Sequence, residues 1–138
     1  MPSDPDLTSV PTVVRELASA LSAAGFELAA EDGSGAVNRV LEFAGPGCRV
    51  RVTADRGQWW IHLARPPRID WYDPDVWAAC LDDRPVDREP SSLEEQSTFV
   101  LERWEEVAAA GPGLADCLAR QRSIRSHARL GLPPDVSG

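Results

Sequence analysis

The chain contains no lysine: all 14 of its basic residues are arginine. It is also short of most residues that build metal and catalytic centres. There are 3 cysteines and 2 histidines in 138 residues. Cys48, Cys80 and Cys117 stand far apart with no C-x-x-C spacing, and only His62 and His127 are available to join them, which is too little for a zinc site. The glycines fall in Asp-Gly-Ser-Gly and Gly-Pro-Gly, which are turn sequences and match neither a P-loop nor a dinucleotide fingerprint. Every long apolar stretch is interrupted by Arg, Glu or Gly within a few residues, so no transmembrane span is present. The first residues, Met-Pro-Ser-Asp-Pro-Asp, are acidic, and no apolar run of signal-peptide type follows, which predicts a cytoplasmic protein. In that compartment the three cysteines read as small buried hydrophobes without a disulfide.

What is present reads as one soluble domain. Hydrophobic content of 43% and charged content of 26% are ordinary for a globular chain. The length lets it bury roughly two-thirds of the surface its unfolded form exposes. Residues 1–9 are polar and Pro-bearing and read as a loose segment. Residues 10–132 form the domain, and 133–138 form a loose tail.

Val37 to Leu63 carries the clearest pattern. With turns at Gly45-Pro46 and Asp55-Arg56, Leu41 faces Val50, Phe43 faces Cys48, Val52 faces Trp59 and Val50 faces Ile61. One face of this antiparallel meander is then apolar. The other face places Glu42 opposite Arg49, Arg51 opposite Trp60, and Arg49 opposite His62. Phe26 to Ala30 alternates weakly, and Asp32-Gly33-Ser34-Gly35 reads as a turn, so a fourth strand precedes the three. Arg39 is the misfit, pointing inward beside Leu28. It either sits at a sheet edge with its head in water, or the strand has the opposite phase.

Helices flank this sheet. Val10, Val14, Leu17, Leu21 and Ala24 recur at helical spacing before Gly25. Arg65-Pro66-Pro67 stops the last strand, and Asp73-Pro74 opens a short helix whose inner stripe is Val76, Trp77, Cys80 and Leu81. Ser92-Leu93-Glu94-Glu95 is a capping box at the head of a longer helix, with Leu93, Val100, Trp104 and Val107 inside and Gly111-Pro112 at its end. Leu114, Cys117, Leu118, Gln121 and Ile124 mark the last helix, with Arg120, Arg122, Arg125 and Arg129 towards its carboxyl end. The predicted fold class is α+β, in the order α-ββββ-α-α-α. An antiparallel meander of three to four strands has one face covered by helices.

Function is harder to read. His62 and Cys48 point to opposite faces of adjacent strands, His127 lies among arginines, and no pair of carboxylates shows contrasting surroundings. The sequence therefore predicts neither enzyme activity nor a cofactor. Arg49, Arg51, Trp60 and His62 share the outer sheet face and form one candidate recognition surface. Alternatively, later helices cover that face, or Trp60 is held by a cross-strand cation–π contact. Trp71-Tyr72-Asp73-Pro74-Asp75 is the densest aromatic patch; it either lines a ligand cleft or plugs the gap between sheet and helix.

Charge is more informative. Residues 70–110 hold 12 acids against 3 arginines, a net of −9, while the whole chain carries −8. Asp82, Asp83, Asp87 and Glu89 on a loop, with Glu94, Glu95, Glu102 and Glu106 on the next helix, form the principal candidate for partner binding. Glu95, Glu102 and Glu106 line up on one helix face beside the apolar stripe. Such a field disfavours nucleic acid and anionic membrane and favours a basic protein; the plainer alternative is a solvated face that keeps the domain soluble.

The arginine-only usage, with abundant Ala, Gly and Pro, looks like the codon bias of a GC-rich genome such as an actinobacterium's. A small, acidic, motif-poor α+β domain of that origin resembles the immunity proteins of bacterial polymorphic toxin systems. The likeness is carried by Val50 to Asp73, with Asp55-Arg56-Gly57-Gln58-Trp59 at a hairpin and Trp71-Tyr72-Asp73-Pro74 after it. It implies a cytosolic inhibitor that occupies a toxin's active site or substrate groove. Acidic surfaces suit that task against a basic nuclease, because carboxylates take the place of phosphates. Immunity families share no functional residues, so no site residue is carried over. A secretion chaperone-like or adaptor module is the alternative, though the chain departs from it in ending with three helices. A small-ligand binder or enzyme using the Trp71–Trp77 region is the third.

Overall fold

A computed structural model describes residues 10–34, 38–66, 70–86, 89–110 and 112–129. The expected end segments 1–9 and 133–138 lie outside the described residues, as do Asp87 and the side chains of Arg125, His127 and Arg129. The order is α1 (Thr12–Ala23), β1 (Glu27–Ser34), β2 (Asn38–Gly45), β3 (Cys48–Asp55), β4 (Gln58–Ala64), α2 (Pro74–Leu81), α3 (Leu93–Ala109), a 3-10 turn (Pro112–Leu114) and α4 (Ala115–Arg129). The α-ββββ-α-α-α arrangement read from the sequence is present, with one antiparallel sheet in the order β1-β2-β3-β4.

The register differs from the expected one by two residues. Leu41 faces Val52, Phe43 faces Val50, Val52 faces Ile61 and Val50 faces Leu63. The turns are centred one residue later, on Pro46-Gly47 and Arg56-Gly57. Pro before a Gly of φ +79° makes a type II turn, and Arg56 at φ +54° with Gly57 at +79° makes the type I′ turn that matches strand twist. A slip of two keeps every side chain on its face. Leu41, Phe43, Cys48, Val50, Val52, Ile61 and Leu63 are accordingly all buried on one side.

β1 is longer than expected. Asp32, Gly33 and Ser34, expected in a turn, pair instead with Val40, Arg39 and Asn38, and residues 35–37 lie outside the described residues. A bulge between Leu28 and Ala30 re-phases the strand and turns Glu31 onto the inner face, opposite Leu41. That explains Arg39. It points inward as alternation required, but its head is neither in water nor misphased: the side chain is 3% exposed and Nη2 donates to Glu31 Oε1 at 2.6 Å. Small neighbours on both sides, Gly33 and Ala54, leave room for it in its row. Its Nε is buried without a hydrogen-bond partner.

The helices cover the inner face. α1 closes in a Schellman motif, with Phe26 N donating to Leu21 O at 2.9 Å and Gly25 N to Ser22 O at 3.1 Å. α3 crosses β3 and β4, packs against α1 on one flank and α2 on the other, and α4 rests on α2. Phe26 meets Trp104 edge-on at 5.0 Å, joining the α1–β1 connection to α3.

The cysteines depart from expectation. Cys48 is free and fully buried, but Cys80 and Cys117 form a disulfide between α2 and α4, with Cα atoms 5.9 Å apart. The sequence places both on inner stripes; only the packing of the two helices brings those stripes together.

Candidate functional site

The acidic surface is built where α2 ends beside α3. Asp73 caps α2, its Oδ1 accepting from Val76 N at 2.8 Å, and Asp82 terminates the helix. Asp83 follows in the left-handed region at φ +52°, a conformation Asp tolerates better than most residues. Arg103 of α3 reaches across to Asp82 with two hydrogen bonds, of 2.9 and 2.7 Å, and turns back to Glu106 with two more, of 2.7 and 3.0 Å. Arg84 approaches the same Asp82 carboxylate at 3.7 Å. Hydrogen bonds from Arg103 hold both carboxyls below their ordinary pKa values, and those carboxyls raise that of Arg103 in return.

The eight candidate carboxylates therefore divide. Asp82 and Glu106 are paired, and Glu95 is engaged in the capping box, accepting from Ser92 N at 3.2 Å while Ser92 Oγ accepts from Glu95 N at 3.1 Å. Glu89 is exposed, and Asp87 lies outside the described residues. Asp83, Glu94 and Glu102 are exposed, as is Glu105 on the same helix, and no cation pairs with these four among the described residues. Arg103 is set among these carboxylates and joins Asp82 at the end of α2 to Glu106 of α3. Sequence reasoning missed that arginine: its pairing with Glu106 at i, i+3 was visible, but Asp82 lies 21 residues away.

The pairing has a pH signature. Because folding lowers the pKa of Asp82 and Glu106, its stabilisation is fully present above the ordinary carboxylate range and is lost as pH falls through the lowered values. In an Arg103→Gln variant both titration midpoints, followed by NMR of the carboxyl carbons, should move up towards ordinary values. Unchanged midpoints would show that Arg103 does not hold them.

On the outer sheet face the two-residue register shift rearranges the second candidate. Glu42 faces Arg51 and not Arg49, and its Oε1 accepts from Arg51 Nη2 at 3.3 Å. Arg51 faces His62, Thr53 faces Trp60, and Arg49 lies between Ala44 and Ala64. The cation–π partner of Arg51 is Trp71, whose ring centroid is 4.1 Å from Cζ, and not Trp60. The segment after β4 brings Trp71 there through a bridge between Leu63 and Tyr72. Burial lowers the pKa of His62, Asp73 opposes the shift and Arg51 adds to it. Arg49, Arg51, Trp60 and His62 are all half-buried.

The aromatic patch divides between the two faces of the sheet. Trp77 is buried in the core, where its Nε1 donates to Leu63 O at 3.0 Å and it meets Tyr72 edge-on. It is the plug between helix and sheet that the sequence offered as one reading. Trp71 leaves for the opposite face. Among the described residues no group of three or more His, Cys, Asp or Glu is placed to hold a metal ion, and no helix is long and apolar enough to cross a membrane. No protein-family model, curated protein or solved structure matches the chain.

Proposed function

We propose that the protein is a non-enzymatic, cytoplasmic binding protein of immunity type, which neutralises a basic partner such as a toxin domain through the flank of α2 and α3. The observation that carries this reading is the set of exposed carboxylates with which no cation pairs among the described residues, Asp83, Glu94, Glu102 and Glu105. Their charge is available to a partner, whereas that of Asp82 and Glu106 is already spent on Arg103. Held on a helix and its adjoining cap, they also need little ordering on binding. Opposite fields accelerate encounter and make it sensitive to salt.

The test uses the basic protein encoded next to this gene, with stopped-flow association measured at low and high salt. The variant carrying Asp83→Asn, Glu94→Gln, Glu102→Gln and Glu105→Gln should associate roughly tenfold more slowly at low salt. The difference should shrink at high salt, where the wild-type field is already screened, and the thermal midpoint should stay nearly constant. Glu95 is left intact because its loss would uncap α3. Binding that ignores both salt and these changes overturns the reading and directs attention to Arg49, Arg51, Trp60 and His62. A neighbouring gene for a secretion apparatus instead of a toxin would favour the chaperone or adaptor alternative.

A further inference from the structure

We propose that the Cys80–Cys117 disulfide is a reducible clamp, and that a protein dithiol acting on it frees α4 from α2. The bond joins residues 37 apart in sequence and fastens the last helix to the body of the fold. Among the described side chains of α4, the rest of the hold is thin. Among its described side chains only Leu118 is buried, with Ile124 packed partly against the core. Gln121 Oε1 accepts from Val86 N at 3.1 Å, and the Arg122 guanidinium lies 4.7 Å from the centre of the Tyr72 ring. A helix with so few buried side chains among its described residues depends on its tether more than α3 does. In the reducing cytoplasm proposed above, a location on which this point rests, a disulfide is characteristically a transient or sensing bond.

The two sulfurs are not equivalent. Cys80 is 7% exposed, whereas Cys117 is half-buried and is the more exposed residue of the pair. A reductant thiolate attacks Cys117 Sγ and forms a mixed disulfide, and Cys80 leaves as a thiolate that takes a proton from solvent. The reductant's second thiol then attacks the mixed disulfide, releasing Cys117 as a thiol and leaving the reductant oxidised. Two electrons pass from the dithiol to the clamp. The third cysteine cannot intervene: burial pushes the Cys48 thiol up to about 12, so it supplies no thiolate for exchange. Release of α4 removes Arg122 from Tyr72 and the Gln121 anchor from Val86, three residues beyond Asp83.

The clamp stands independently of the acidic-surface reading, because it is tested without any partner. The full chain is prepared air-oxidised and after treatment with dithiothreitol, then alkylated without denaturant and followed by hydrogen exchange. Oxidised protein should carry no label on Cys80 or Cys117; reduced protein should carry it on both, with Cys48 unlabelled in each state. Amides of residues 118–124 should exchange roughly tenfold faster after reduction, while those of Val50 to Leu63 keep their protection. Reoxidation should restore the slow rate. A Cys80→Ser, Cys117→Ser variant should be fast in either condition, and if it fails to fold the two redox states of the native chain decide alone. Three free thiols in the air-oxidised chain, or equal exchange in α4 before and after reduction, overturns the proposal. So does equal acceleration in sheet and helix, which would make the bond a staple of the whole fold.

Discussion

Truncating Ile61 to alanine should destabilise the protein by about 2–5 kcal/mol. Ile61 is fully buried at the centre of the inner face, opposite Val52 in a row that continues through Leu41 to Glu31. α3 lies over this part of the sheet, so removing the side chain leaves a cavity under a helix that cannot settle into it without breaking its own contacts. Urea unfolding followed by tryptophan fluorescence gives the measurement. Thr53→Ala, on the outer face and half-buried, serves as the comparison and should cost less than about 1 kcal/mol. A cost at Ile61 no larger than that at Thr53 would show that the inner face does not carry the core.

The faces of this sheet were legible because alternation has a period of two and survives a slip of two. The register itself was not. Turn centres at Gly45-Pro46 and Pro46-Gly47 bury the same side chains, and they differ only in where the positive φ falls, which Gly47 and Gly57 decide. Arg39 shows the same limit in another form. Its inward direction follows from the pattern, but its partner Glu31 reaches the inner face only because β1 carries a bulge, and nothing in Glu27–Ser34 announces one. The capping box of α3 and the Asp73 cap of α2 were readable since their partners lie three residues away. Contacts across longer separations were not: Asp82 with Arg103, Arg51 with Trp71, and Cys80 with Cys117 all depend on how whole elements pack. For the acidic flank, composition gave the sign of the field but could not divide paired from unpaired carboxylates.

Gln96→Leu should cost roughly 2–5 kcal/mol, because it leaves two backbone groups without partners. Gln96 is a polar residue on the inner side of α3, 8% exposed, and it closes an edge of the sheet. β4 is an edge strand whose outward groups need partners other than a further strand. Leu63 N donates to Tyr72 O at 2.8 Å and Leu63 O accepts from Tyr72 N at 3.0 Å, which covers one position. Ile61 N donates to Gln96 Oε1 at 2.9 Å, which covers the next. Gln96 Nε2 in turn donates to Ser91 O at 2.9 Å, and Ser91 N donates to Asp75 Oδ2 at 2.9 Å. A single amide thus ties the edge of the sheet to the start of α3 and, through Ser91, to α2. Leucine nearly conserves the volume, so lost hydrogen bonds and not a cavity account for the deficit. The Gln96→Glu variant separates the two bonds: an ionised carboxyl can still accept from Ile61 N but cannot donate to Ser91 O. Burial raises the pKa of such a carboxyl, and once protonated it can serve both partners, so the deficit of that variant should shrink as pH falls. Stability of Gln96→Leu within about 0.5 kcal/mol of the parent would show that water replaces the amide at this edge.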